Sequence, residues 1–147
     1  MIIVNTDATV LFTQAGNSAW ASFVAYTDDG RFLHQHVEKV TAGDPVHAEL
    51  HALRFALEFL GGRKAVIRTD CQAVLRYACR KRCKNLARRE VFADIRALMG
   101  YKQKVQWIPR GKNKEADRLC RKARKTGLRK TWRKPRLLKS WMAYDTW

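Results

Sequence analysis

The chain has 147 residues and a mass of 17.1 kDa, with 46% hydrophobic residues, enough for one well-packed domain and too little for two. Its 30 Lys and Arg against 13 Asp and Glu give a formal net charge of +17, so a polyanionic partner is the first expectation. The apolar and aromatic content excludes a disordered chain, and 8 Gly, 3 Pro and 4 Cys exclude collagen-like and disulfide-scaffold classes.

The charge is unevenly placed. Residues 1–75 hold 6 basic and 8 acidic side chains, net −2, whereas residues 76–147 hold 24 basic and 5 acidic ones, net +19. An acid at Asp7 is unlike the start of a secretory signal. The uncharged run 8–27 is broken by Thr9, Thr13, Gln14, Gly16, Asn17, Ser18 and Ser22, unlike a membrane span. A soluble, cytoplasmic protein is expected, without membrane association and with reduced thiols at Cys71, Cys79, Cys83 and Cys120.

In chain order, residues 2–7 read as a buried β-branched strand ending at Asp7. After a turn at 14–18, Trp20, Ser22, Val24 and Tyr26 share one strand face and Ala21, Phe23 and Ala25 the other. Asp28, Asp29 and Gly30 then form a hairpin turn into a strand over 31–39. Val46, Leu50, Leu53, Leu57 and Leu60 are the stripe of an amphipathic helix, opened by Asp44 and Pro45 and closed by Gly61 and Gly62. A strand over 65–69 ends at Asp70. Helices over 72–82 and 86–99, a strand over 105–108 and a helix from Lys114 follow. Residues 127–147 form a basic, Trp-containing tail, with periodicity only for a short helix at 137–143.

This order implies an α/β domain over residues 1–126. A five-stranded mixed sheet, an antiparallel meander plus parallel strands, has the first strand central and helices flanking it, with the tail as a C-terminal extension. The ends of the strands at Asp7 and Asp70 are then neighbours, at the sheet edge where α/β proteins bind ligands. Glu49 lies about 60° from the middle of the 46–60 stripe. Asp117 borders the face made by Ala116, Leu119, Cys120 and Ala123. Each acid alone also serves as a cap, a turn former or a surface partner. Together they are costly, because two unit charges about 4 Å apart repel by about 4 kcal/mol at an effective dielectric near 20. Divalent cations remove that penalty, and oxygen-only ligands favour Mg²⁺ or Mn²⁺.

The segments Asn5 to Thr9, Ala48 to Leu53, Arg68 to Gln72 and Val105 to Leu119 resemble the four signature regions of type 1 ribonuclease H. The most specific is the last, with Trp107, Ile108, Pro109 and Arg110 followed by Asn113, Lys114, Glu115, Ala116 and Asp117. The resemblance covers about residues 2–125. It implies a ribonuclease H-like fold and an endoribonuclease that cuts the RNA strand of RNA/DNA hybrids, leaving 3′-hydroxyl and 5′-phosphate ends. Asp7, Glu49, Asp70 and Asp117 are then the catalytic acids and the ligands of two Mg²⁺ ions, with Mn²⁺ as a substitute. Asp7 would bridge the ions, and Glu49 would lie nearest the scissile ribose.

Several features depart from that pattern. Residues 10–16 replace a Gly-rich turn, Pro45 and Val46 replace paired Asn, Arg110 stands where many members carry a loop His, and the basic protrusion is missing. Seven basic residues between Arg76 and Arg89 substitute for it in part. Arg76, Arg80, Lys81, Arg110, Lys112, Asn113 and Trp132 are the expected nucleic-acid contacts, with Trp132 and Trp141 able either to stack on bases or to pack. A monomer without a small-molecule cofactor is expected. The alternatives are a structure-selective DNA nuclease or strand-transfer relative of the same fold, and a binding module without chemistry.

Other combinations do not make sites. His47 and His51 are spaced like a helical zinc pair, but they point 160–200° away from Glu49 and lack a third ligand. These two, like His34 and His36, are expected to be solvated. The cysteines contain no CxxC and read as small core residues. Walker, Rossmann and nucleophile-elbow motifs are absent.

Overall fold

The structure is a computed structural model that describes residues 1–126 and the backbone of 130–133. Six strands form one sheet in the order β5-β4-β1-β2-β3-β6. β1 (Ile2–Thr13), β2 (Gly16–Thr27) and β3 (Phe32–Val40) make the antiparallel meander, while β4 (Ala65–Thr69) and β5 (Gln103–Trp107) run parallel to β1. This is the expected five-strand arrangement with β1 central. β6 (Lys130–Arg133) adds antiparallel to β3, pairing Trp132 with His36. The Trp132 side chain, Trp141 and the helix expected at 137–143 lie outside the described residues.

β1 is longer than expected. It continues past Asp7 to Thr13 because β2 pairs with it throughout, down to Thr13 opposite Gly16. The parallel ladder with β4 stops where it was expected to, at Thr6 opposite Thr69. Asp7 is therefore the first residue of β1 whose β4-side edge has no strand beside it.

α1 (Pro45–Leu60) forms as its sequence dictates. Asp44 caps it by accepting the His47 N–H at 2.8 Å, and Gly61 ends it in the left-handed region at φ 57°, donating to Leu57 O. Its buried stripe packs with Ile2, Val4, Ala21, Phe23 and Ala25 on one face of the sheet. α2 (Gln72–Cys79) and α3 (Arg89–Leu98) cover the rest of that face through Val74, Tyr77, Val91 and Ile95. α2 stops at Cys79, with Arg80 already extended, and α3 is preceded by a 3₁₀ turn at Leu86–Arg88 capped by Asn85. Arg88 joins the helices, pairing with the Asp44 carboxylate at 3.0 Å and donating to Tyr77 OH at 2.8 Å.

α4 (Lys114–Thr126) lies on the opposite face. Ala123 and Leu119 pack with Trp20 and Val37, and the Ser22 hydroxyl donates to Ala116 O at 2.8 Å. The β2 alternation read from the sequence is thus correct, with Ala21, Phe23 and Ala25 toward α1 and Trp20 and Ser22 toward α4.

The histidines and cysteines correct two expectations. His34 is 5% exposed and stacks on Phe59 of α1 with ring centroids 5.1 Å apart. His47 and His51 stack on each other at 4.9 Å and are half-buried. An imidazole is a flat, largely apolar body, so these sites bury it rather than solvate it. Of the four free cysteines Cys120 is buried and Cys79 is exposed, so Cys79 is no core residue. Among the described residues, no helix is long and apolar enough to cross a membrane.

Candidate active site

The site forms at the notch left where β4 ends. Glu49, on the buried side of α1, reaches that notch and accepts the Ala8 N–H at 3.2 Å through Oε1. Among the described residues no strand is available to take that amide beyond Thr69. Glu49 Oε2 is buried with no hydrogen-bond partner among the described residues. Asp7 projects from β1 and Asp70 follows the last residue of β4. One carboxylate oxygen from each of Asp7, Glu49 and Asp70 lies within 4.8 Å of the others. Asp7 is 6% exposed and Glu49 8%.

Packing acids this closely in a dry notch disfavours their charged forms. Burial, and next the charge of Asp70, push the Asp7 carboxyl up to about 7. Burial, and next Asp7, hold Glu49 well above the ordinary carboxylate range. Three carboxylates, one with an orphaned buried oxygen, are a hard-oxygen donor set that fits a divalent cation such as Mg²⁺ or Mn²⁺.

Asp117 stands apart from this cluster. It lies in the first turn of α4, half-exposed, its carboxylate 2.5 Å from the Arg121 guanidinium one turn on. It is nonetheless close enough for its charge to contribute to the upward shift of Asp7. The four acids expected to gather thus divide into three that meet and one at the border.

The surrounding bonds fix these positions. Trp107 at the end of β5 donates its indole N–H to Asp70 O at 3.2 Å, and the Ile108 N–H donates to Thr69 O at 2.8 Å. Cys120 Sγ sits 3.1 Å from Ser22 Oγ and 3.5 Å from Asp7 O, seating α4 against β1 and β2. Sequence reasoning did not single out Trp107, Ser22 or Ala8 as supports. The available signal for Trp107 was a large ring ending a strand whose parallel neighbour ends in an acid.

Of the expected nucleic-acid contacts, Arg76, Arg80 and Lys81 are exposed on or just after α2, with the Arg80 guanidinium 4.6 Å from the centre of the Tyr77 ring. Arg110 and Lys112 are exposed on a 3₁₀ turn at Arg110–Lys112, immediately before α4. Asn113 is different. It is 1% exposed and donates its amide to Thr6 O at 2.7 Å. Buried there, it ties the entry of α4 to β1 and has no surface to offer a ligand.

A central hairpin arm with two short parallel strands on its one side and the antiparallel meander on its other, α1 on one face and α4 on the opposite one, with acids at the notch, defines a ribonuclease H-like protein. Residues 5–123 match the family described as reverse transcriptase-like, and the chain belongs to that family. Among solved structures it is similar to the RNase H1 of the halophilic archaeon Halobacterium salinarum NRC-1 (TM-score 0.74, 21% identity, 85% of this chain and 98% of that one). It is likewise similar to LC11-RNase H1 in complex with an RNA/DNA hybrid (TM-score 0.74, 26% identity, 86% and 99%). A foamy viral protease-reverse transcriptase in complex with RNA/DNA hybrid matches over 85% of this chain and 20% of its own length (TM-score 0.69, 16% identity). Comparison with curated proteins returns no match.

Proposed function

We propose that the chain is a Mg²⁺-dependent endoribonuclease that hydrolyses the RNA strand of RNA/DNA hybrids, leaving 3′-hydroxyl and 5′-phosphate ends. The observation that carries this reading is the notch in which Asp7, Glu49 and Asp70 converge within 4.8 Å beside a strongly basic half-chain. The hybrid bound by LC11-RNase H1 supports the choice of substrate.

Asp7, Glu49 and Asp70 would hold the cations, with Asp117 completing the set from α4, and such cations would supply a Lewis acid that activates water and offsets charge on the leaving oxygen. Glu49 is oriented by the Ala8 amide, and Asp70 by the strap of Trp107 and Ile108 across the end of β4. Arg76, Arg80, Lys81, Arg110 and Lys112 hold phosphates along the flanks, and Trp132 is a further contact. Arg110 positions phosphate at the approach to Asp117.

The decisive experiment is a side-by-side Mg²⁺ assay of labelled hybrid, duplex DNA, duplex RNA and branched DNA with the wild-type chain and Asp7→Asn. Hybrid-selective cutting of the RNA strand that Asp7→Asn abolishes is the expected result. Cleavage of branched DNA instead would assign a structure-selective DNA nuclease. Tight binding without any cleavage would assign a binding module.

A further inference from the structure

The acids sit where the parallel strands end. The opposite end, where β4 and β5 begin, holds a second concavity of about 810 Å³, lined by Met1, Arg63, Lys64, Tyr101, Lys102 and Lys104 beside two glycines. β4 spans five residues, so at about 3.3 Å per residue about 16 Å separate this concavity from the acid notch. Among the described residues no carboxylate lines it, and Asp28 reaches only the Met1 amine at its rim, at 3.5 Å. Lys64, Lys102 and Lys104 are all exposed, and Tyr101 is 92% exposed with the Lys102 ammonium 5.7 Å from its ring centre.

The turns that carry these residues are built rather than loose. Gln103 is buried, accepts the Gly100 N–H at 2.9 Å and donates to Arg63 O at 3.2 Å, clamping the turn before β5 to the turn before β4. Ile2 N–H donates to Lys64 O and Ala65 N–H to Lys102 O, so both lysine backbones are held in the opening register of the sheet. Arg63 spends its guanidinium on Leu60 O and Phe59 O and lies over the Phe59 ring, which makes it part of the floor.

A ring this exposed gains little from packing, and among the described residues the three lysines around it pair with no acid. Phosphates would neutralise the lysines, and a base face would cover the ring. We infer that this concavity is a second nucleic-acid site, taking a single-stranded segment with its phosphates on Lys64, Lys102 and Lys104 and a base stacked on Tyr101. Within a duplex the base faces are already stacked on their neighbours, so along a strand it is the unpaired base that offers its face to a ring, which favours a single strand. An acidic peptide would use the lysines and leave Tyr101 without a partner. The site goes beyond the hybrid-cleavage reading and does not depend on it, since it shares no residue with the acid notch.

The test titrates a labelled oligodeoxythymidine of about 16 nucleotides, within the usual range for a single-strand site, into the full-length chain. A short hybrid with 2′-O-methyl RNA is kept saturating throughout. The oligonucleotide should still bind, and iodouracil placed in it should photocrosslink to Tyr101. Tyr101→Ser should weaken binding about tenfold. Combining Lys64→Ala, Lys102→Ala and Lys104→Ala should lower the slope of log affinity against log salt by about 2, since each phosphate contact on a single strand contributes about 0.7. Unchanged melting temperatures would establish that these surface variants fold, and their cleavage of a short hybrid should match wild type. Crosslinks that avoid Tyr101, an unchanged salt slope, or complete displacement by the hybrid would overturn the site. Competition by polyglutamate equal to that of the oligonucleotide, with no effect of Tyr101→Ser, would overturn it in favour of an acidic protein partner. If wild type fails to cut hybrids while the crosslink and slope behave as expected, the hybrid reading fails and this site stands.

Discussion

α1 and α4 sandwich the same two strands but are built on opposite terms. α1 buries nine residues, among them Leu50, Leu53, Leu57 and Leu60, and carries Glu49 within that dry face. α4 buries only Ala116, Cys120 and Ala123, half-buries Asp117 and Leu119, and turns its many basic residues to solvent. The acid delivered by α1 is locked, with one oxygen on the Ala8 amide and the other enclosed. The acid delivered by α4 is half-exposed and engaged by Arg121. One helix thus supplies a fixed wall of the notch and the other an adjustable one.

The contrast breaks most sharply in catalysis. Glu49→Gln should cost at least about a thousandfold in hybrid cleavage, because charge stabilisation by bound metal is worth several kcal/mol and each 1.36 kcal/mol is tenfold. Asp117→Asn should cost distinctly less in the same single-turnover assay. Equal losses would mean that Asp117 is as firmly part of the site as Glu49.

Stability should divide the same way. Leu53→Ala, in the fully buried α1 stripe, should lower unfolding free energy by about 2–5 kcal/mol. Leu119→Ala, half-buried on α4, should cost about 1 kcal/mol in the same denaturant titrations.

A third measurement tests how dry the α1 side is. Burial beside Phe59 holds the His34 imidazole down at about 4, against an ordinary value of 6.5. As pH falls below 6.5 the unfolded chain takes up a proton that the native chain refuses until about 4, so stability present above pH 6.5 is lost across that window. The loss from His34 is at most about 3 kcal/mol, at 1.36 kcal/mol per pH unit. Asp7 and Glu49, held high in the notch, add stability as pH falls through the same window, and His51, likewise held at about 4, removes it, so the comparison is between variants. His34→Phe should raise the melting temperature at pH 4 relative to that at pH 6.5, measured against wild type. An unchanged profile would mean that His34 is hydrated in solution.

Much of this was legible in the chain because local rules and the fold agree. Asp44, Pro45, Gly61 and the leucine spacing specify α1, and hydrophobic alternation specifies which face of β2 meets which helix. The acids stood out because they interrupt apolar segments. What escaped depends on long-range partners. β1 runs to Thr13 because β2 accompanies it, which residues 8–13 do not themselves announce. Asn113 looks like a polar surface residue until Thr6 O, more than a hundred positions away, claims its amide. The burial of His34 depends on Phe59 arriving from α1, and β6 depends on the free edge of β3 rather than on any periodicity of its own.

The early end of β4 makes strand length a functional variable. A β4 longer by a residue or two would bring a backbone carbonyl to the Ala8 amide, displace the Glu49 carboxylate and fill the notch with main chain, while leaving the apolar core and the helix caps intact. The sheet would gain regularity and the site would vanish. For this fold the step from Thr69 to Gln72 is therefore a place where insertions are tolerated by folding and refused by chemistry.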